Sequence, residues 1–165
     1  MHSLATAVLS RAIGRAASAN PEEAFLAGLL HDVGKTVILG LITEEERANP
    51  GLKTDEALID RLCDEAHTGV GARIANEWKL APNLIEAIEH HHGLRPFSPP
   101  LVAVTALSND VCAFLGLACQ KRRVDLGRHP AFAILGFDRE KGNRLLQLLP
   151  TVLGDAPEFR GVVKF

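Results

Sequence analysis

Histidines and aspartates recur in this chain at the ends of apolar segments, and side chains of these types bind metal ions. The stretch AGLLHDVGKTVIL, residues 27–39, is apolar except where His31 and Asp32 stand side by side. Helices whose ends converge can present such side chains to one pocket, as helical metal proteins do. Six of the seven histidines lie near the end of a predicted apolar helix, namely His2, His31, His67, His90, His91 and His92.

Asp110 is the most informative carboxylate because it lies in the middle of an apolar segment, residues 101–119. A buried carboxylate is costly unless a partner compensates it. A metal ion shared by Asp110, Asp32 and the imidazoles would satisfy all of these groups, and a Lys or Arg from the C-terminal tail is the alternative. Neutral imidazoles and carboxylates are ligands of Zn, Fe, Mn or Ni, whereas a structural zinc finger uses cysteines.

Each of these features also has a simpler interpretation. A His-Asp dipeptide occurs often by chance, and three histidines at a helix end also fit exposure and the helix dipole. The glycines that follow His67 are more typical of close helix packing than of chemistry. The joint pattern of histidines and aspartates along helical segments is what favours a metal site.

Length and charge exclude several classes of protein. The 165 residues predict one domain, 1–165, and a net charge of -2 gives no reason to expect a nucleic-acid partner. The basic run Lys121–Arg123 is expected to be a solvated loop.

Cys63, Cys112 and Cys119 have no CxxC spacing, so they are predicted to be apolar fillers in a reducing compartment. With no leader and no membrane-spanning run expected, the predicted location is cytoplasmic, without a membrane partner.

The elements that must position these residues are predicted to be helices, so the expected fold class is all-α. Asn20 and Pro21 are typical of a helix start, and Gly34 is predicted to end that helix. Further helices are predicted over 2–17, 101–119 and 138–149, the last of them stopped by Pro150. Other helices are predicted to begin at a capping box at 43–46, at Thr54-Asp55-Glu56, and at Pro82, the last one ending in the three histidines. Trp78 and Phe114 are expected in the core.

Five sequence blocks follow one another along the chain: HSLATA (2–7), FLAGLLHDVGK (25–35), EAHTGVGARIANEW (65–78), AIEHHHG (87–93) and SNDVCAF (108–114). In these blocks the sequence resembles the HD superfamily of metal-dependent phosphohydrolases, and most of all its HDOD branch in bacterial signalling proteins. The resemblance implies an HD-domain helical bundle with a motif core over 2–118, followed by a C-terminal helix and tail over 130–165.

The resemblance also implies site residues and a cofactor. Asp32 and Lys35 would act in catalysis, with Lys35 contacting a phosphate, and one or two divalent transition-metal ions would be bound. Within the triple histidine we favour His91 and His92 over His90. The implied metal ligands are His2, His31, Asp32, His67, His91, His92 and Asp110.

Departures from the family pattern affect the expected function. Cyclic-di-GMP phosphodiesterases of this superfamily carry a Gly-Tyr-Pro loop, whereas this chain reads HHHGLRPFSPP and has no tyrosine. The expected function is therefore a metal-binding domain of bacterial signal transduction with little or no turnover. Its expected partners are signalling proteins or a phosphorylated small molecule. The alternative is an active phosphohydrolase acting on a nucleotide or cyclic dinucleotide, and a third reading is a helical bundle without metal.

HDOD domains normally begin with several helices before the HSLATA block. In this chain Met1 directly precedes that block. We therefore expect a domain that lacks those N-terminal helices and exposes an apolar surface in their place. A homodimer would cover such a surface.

Overall fold

The computed structural model describes residues 1–118 and 124–159, and within these ranges the chain forms helices and turns without a β-strand. The predicted all-α fold class is confirmed. The helices are α1 (His2–Ala16), α2 (Pro21–Leu30), α3 (Val33–Ala48), α4 (Glu56–Glu77), α5 (Pro82–His90), α6 (Pro100–Phe114), α7 (Ala131–Ile134) and α8 (Arg139–Asp155), with short 3-10 turns at Leu126–Arg128 and Pro157–Phe159.

Polar side chains start several of these helices as predicted. The Asn20 side chain accepts hydrogen bonds from the backbone N–H groups of Glu22 and Glu23, and Pro21 is the first helical residue of α2. Asp55 caps α4 in the same way through the N–H of Leu58. These bonds satisfy donors that have no partner within the helix.

Three predicted boundaries are wrong because tertiary packing outweighs local signals. Gly34 lies inside α3, and the capping box at 43–46 lies within the same helix. Pro150 lies inside α8. Leu149 and Leu153 on either side of it are fully buried. The burial of such side chains offsets the roughly 3 kcal/mol cost of an interior proline.

Helix α6 is the central element, and it packs against α1, α2, α5 and α7. Every residue from Leu101 to Cys112 is buried. The expected core positions of Trp78 and Phe114 are wrong, since these side chains are 55% and 65% exposed. Both residues lie at the C-terminal ends of their helices, where the chain leaves the bundle.

Two glycines bring neighbouring helices into contact beside the His31–Asp32 pair. A Cβ atom on Gly28 would lie 2.8 Å from the Thr6 carbonyl oxygen of α1. A Cβ atom on Gly34 would lie 2.0 Å from the His67 carbonyl oxygen of α4. Neither distance is possible for a real side chain, so these positions require glycine.

One segment is apolar and long enough to cross a membrane by length and composition alone, namely Pro21–Ala48. In the structure this segment is two helices, α2 and α3, separated at His31 and Asp32. Helix α2 packs against α1 and helix α3 against α4. The same length and composition occur in core helices of soluble proteins, so the segment is weak evidence for a membrane.

Other sequence predictions concern the exposed apolar surface, the cysteines and the basic run. Leu39, Leu41 and Leu52 are exposed, and whether a homodimer covers them stays a prediction. Cys63 and Cys112 are buried with free thiols, as fillers would be. Cys119, the basic run Lys121–Arg123 and the end of the tail, 160–165, lie outside the described residues.

A Gly34→Ala substitution is expected to destabilise the fold by roughly 3 kcal/mol or more, because α3 and α4 would have to separate. Gly40→Ala is the matched control in the same helix, since a Cβ there meets open space. It should stabilise α3 by about 1 kcal/mol. Urea unfolding of both variants tests the contact, and equal effects would contradict it.

Candidate metal centre

The junction between α2 and α3 places His31 and Asp32 inside the bundle. His31 follows the last residue of α2, and Asp32 precedes the first residue of α3. His31 is fully buried and Asp32 is 8% exposed. The ionisable pair that interrupts the apolar segment is therefore an interior feature of the molecule.

Asp32 lies between two groups of histidines, one on each carboxylate oxygen. Its Oδ1 is 3.5 Å from His67 Nε2 and 3.9 Å from His91 Nε2. Its Oδ2 is 3.5 Å from His31 Nε2 and 3.6 Å from His2 Nε2. Ligand atoms lie within 4.8 Å of one another in a four-residue group (Asp32, His67, His91, His92) and in a three-residue group (His2, His31, Asp32).

Residues of α1 and α4, and residues at the ends of α2 and α5, form these groups. His2 is the first residue of α1, and His91 directly follows the last residue of α5. His67 lies in the middle of α4, so its predicted position at a helix end is wrong. Its carbonyl is the group that Gly34 approaches, so the tight α3–α4 contact also places His67 beside Asp32.

Backbone carbonyls fix the tautomer of three of the histidines. The Nδ1 atoms of His31, His67 and His91 lie 2.8, 2.7 and 2.9 Å from the carbonyl oxygens of residues 28, 63 and 88. A carbonyl can only accept, so each Nδ1 carries the proton and donates it. In the neutral ring the lone pair is then on Nε2, the atom that points toward Asp32.

Burial favours the neutral form of His2, His31 and His91, and electrostatics keeps Asp32 ionised. Desolvation lowers the pKa of His31 to about 4, and it lowers the pKa values of His2 and His91 as well. Burial alone would raise the pKa of Asp32. Interactions with His31 and with the Lys35 ammonium, which also donates a hydrogen bond, outweigh that effect and hold the pKa well below its usual range.

Three buried atoms of the four-residue group have no hydrogen-bond partner among the described residues: Asp32 Oδ1, His67 Nε2 and His91 Nε2. All three are acceptors, and they face one another. Acceptors cannot satisfy each other, whereas a divalent cation would satisfy all of them. The residues present therefore fit a divalent transition metal, and this donor set is compatible with Zn, Fe, Mn or Ni.

The structure distinguishes among the candidate residues. His91 and His92 lie in the four-residue group, whereas His90 is half-exposed with its Nε2 3.9 Å from the adjacent Glu89 carboxylate. Lys35 is beside the site, and its Nζ donates a hydrogen bond of 2.8 Å to Asp32 Oδ2. The roles of all these residues as ligands or catalysts stay predictions.

Asp110 is buried, as its position in α6 predicts, but it is in neither of the two groups found among residues 1–118 and 124–159. Its Oδ2 accepts a hydrogen bond of 3.1 Å from His129 Nε2. The Ala131 backbone N–H donates to His129 Nδ1 at 3.2 Å. One partner that the structure describes is therefore a histidine, and the role of Asp110 as a metal ligand stays a prediction.

His129 is the residue that the sequence analysis missed. It lies in a polar connection before Pro130, outside any predicted helix and outside the quoted motif blocks. With Asp110, His91 and His92, it lines a cavity of about 350 Å³ next to the four-residue group. The sequence indicated only that a buried Asp110 needs a partner, and it did not indicate which residue would be that partner.

The stability of the metal-free protein should fall with acidification. The pKa of His31 is about 4 when folded and 6.5 when unfolded, so the unfolded chain binds more protons between these values. The free energy of unfolding should be highest above pH 6.5 and decline toward pH 4, by on the order of 3 kcal/mol from His31 alone. Urea unfolding after chelator treatment measures this, and His31→Gln should flatten the profile. A wild-type profile that is already level would contradict it.

Two substitutions separate the bonds of His129. His129→Gln keeps an N–H donor near the position of Nε2, and His129→Asn keeps an acceptor near the position of Nδ1. If the bond to Asp110 matters more, His129→Asn should cost about 2 kcal/mol and His129→Gln about 1 kcal/mol or less. Chemical unfolding gives both values, and the reverse order would show that the Ala131 bond dominates.

Comparison with known proteins agrees with this architecture. The HDOD domain model matches residues 1–94. The chain is 30% identical to Ribonuclease Y of Mycoplasma mycoides over 112 residues, and this aligned region covers 68% of this chain and 21% of that protein. Over 103 residues it is 29% identical to Ribonuclease Y of Dehalococcoides mccartyi strain CBDB1, covering 62% of this chain and 15% of that one. The chain thus spans about a fifth or less of these relatives.

Two solved structures share the fold. An HDOD domain protein of unknown function from Geobacter sulfurreducens superposes with a TM-score of 0.65 at 23% identity, over 93% of this chain and 60% of that one. A candidate phosphohydrolase from Shewanella amazonensis SB2B gives 0.58 at 20% identity, over 93% and 61%. These two structures share the helical fold, and the HDOD domain model, which matches more than half of the chain, shows that the chain belongs to the HDOD domain family.

Proposed function

We propose that this HDOD chain binds a divalent transition-metal ion at Asp32 and its surrounding histidines, and acts in bacterial signal transduction with little or no turnover. The observation that carries the proposal is the set of three buried acceptor atoms that face one another without hydrogen-bond donors. Burial without compensation is costly, and neutral imidazoles beside an ionised carboxylate are poised to bind a cation.

An ion in the four-residue group would join helix α4 to the α2–α3 junction and to the end of α5. Ligand binding to the folded state alone stabilises it, by about 2.7 kcal/mol at a concentration 100 times the dissociation constant. Metal occupancy would therefore change the stability of the bundle, which a cytoplasmic signalling protein could sense. A phosphorylated small molecule in the adjacent cavity is a second possible input.

Metal content and thermal stability test this proposal. Chelator-treated protein is reloaded with Mn²⁺, Fe²⁺, Ni²⁺ or Zn²⁺, dialysed, and measured by elemental analysis. Wild type should retain metal and melt at a higher temperature, whereas Asp32→Ala and His91→Ala should lose metal. His90→Ala is the matched control, because His90 is the exposed neighbour in the same triple. Protein that retains no metal would refute the proposal.

A second candidate function is metal-dependent phosphoester hydrolysis. The supporting observation is the cavity of about 350 Å³ beside the four-residue group, which is large enough for a small phosphorylated molecule. A bound divalent ion would supply Lewis-acid chemistry at a phosphate. Of the chain's own residues, Asp32 would hold such ions, and the Lys35 ammonium could offset charge on phosphate oxygens.

The Ribonuclease Y relatives indicate which substrates to include. Their name describes an activity on RNA, while the net charge of -2 in this chain favours no nucleic-acid partner. A panel of bis-p-nitrophenyl phosphate, a cyclic dinucleotide, a nucleotide and a short RNA separates the two candidates. Metal retention without turnover supports the regulatory domain. Metal-dependent turnover that Asp32→Ala abolishes and His90→Ala leaves intact supports the hydrolase.

A further inference from the structure

The two groups around Asp32 differ in how their ligand atoms are satisfied. In the four-residue group, Asp32 Oδ1, His67 Nε2 and His91 Nε2 are buried and have no hydrogen-bond partner in the described part of the chain. In the three-residue group, His2 Nδ1 is also buried without a partner, but His2 Nε2 and His31 Nε2, the atoms that face Asp32 Oδ2, do not share this condition. The unsatisfied atoms that face the carboxylate are therefore on its Oδ1 side.

The three-residue group is already internally bonded. His2 Nε2 and His31 Nε2 are 3.2 Å apart, a hydrogen-bond distance. Because the Nδ1 of His31 donates to the Gly28 carbonyl, a hydrogen bond between the two Nε2 atoms requires His2 Nε2 as the donor, which leaves the buried His2 Nδ1 as an acceptor without a partner among the described residues. One of the two rings therefore does not present a lone pair to a cation in this state.

Lys35 supplies a positive charge to the same side. Its ammonium donates to Asp32 Oδ2 at 2.8 Å, one helical turn along α3. This Oδ2 is the oxygen that faces His2 and His31. A metal ion here would have to displace the ammonium and reverse the proton on His2. Asp110, a predicted ligand that lies in neither group, accepts a hydrogen bond from His129.

We infer that the two groups bind metal unequally: one divalent ion binds tightly to Asp32 Oδ1, His67, His91 and His92, while Lys35 takes the place of a second ion at Oδ2. The inference rests on the proposed metal binding and adds its stoichiometry and order. It assigns Lys35 the role of a resident cation that keeps the three-residue group closed to metal. A second ion binds weakly, after Lys35 moves away.

Calorimetric titration of chelator-treated protein with Mn²⁺ and Co²⁺ tests the inference, with Co²⁺ absorption reporting how many sites are filled. Wild type should bind one ion tightly and a second about ten-fold or more weakly. Lys35→Met should strengthen the second ion by about ten-fold or more while leaving the first unchanged. Lys35→Arg is the matched control, because it keeps the charge and should keep the wild-type stoichiometry.

Ligand variants give an independent result if Lys35→Met does not fold, as circular dichroism would reveal. His67→Ala should remove the tight ion, whereas His31→Ala should leave it bound. Two equally tight ions in wild type, or loss of the tight ion in His31→Ala but not in His67→Ala, would overturn the inference while preserving metal binding. Binding of no ion by wild type would overturn the proposed function itself.

Discussion

The structure depends on one buried carboxylate. Asp32 is 8% exposed, and a carboxylate in such a place destabilises the fold unless positive charge or hydrogen-bond donors surround it. On its Oδ2 side the chain supplies Lys35, at a cost in freedom of that side chain. On its Oδ1 side the neighbours are imidazole nitrogens that carry lone pairs. A buried cluster of acceptors without a donor among the described residues is compatible with a bound cation, which is the ligand that the family resemblance also implies.

Close helix packing is what makes this arrangement possible. Gly28 lets α2 approach the helix that carries His2, and Gly34 lets α3 approach the helix that carries His67. Gly71 has a similar role, since a Cβ there would lie 2.9 Å from a methyl group of Ile88 on α5. At Gly28 and Gly34 a glycine meets the backbone of the neighbouring helix, and this close approach lets the histidines converge. This explains why glycines alternate with ligands in the motif blocks, and why Gly34, which has the sequence appearance of a helix stop, belongs to a helix crossing.

Local sequence patterns predicted those helix starts that depend on interactions between residues close in sequence. Asn20, Pro21 and Asp55 start helices because the capping bond joins residues two or three positions apart. The histidines could be assigned to one pocket because the family resemblance supplied the long-range information that spacing lacks. Where neither source applied, prediction failed. Pro150 continues a helix because leucines on both sides are buried in the core, and His129 meets Asp110 across nineteen positions of chain. Both outcomes depend on tertiary contacts that no local pattern encodes.

The position of two candidate ligands, His31 and His91, at helix ends has a physical reason of its own. The last carbonyls of a helix lack backbone N–H partners within it. Gly28 and Ile88 belong to the final turns of α2 and α5, and their carbonyls accept the Nδ1 protons of His31 and His91. One hydrogen bond thus satisfies a helix terminus and leaves the opposite ring nitrogen as a lone pair aimed at Asp32. A histidine placed earlier in either helix would share its acceptor carbonyl with a backbone N–H group of the helix. His67 is in this situation, since its Nδ1 donates to the carbonyl of Cys63 in the middle of α4. In α2 and α5 the hydrogen bond that satisfies the helix end therefore also orients the imidazole. This is why an imidazole next to a carboxylate can end the otherwise apolar helix α2.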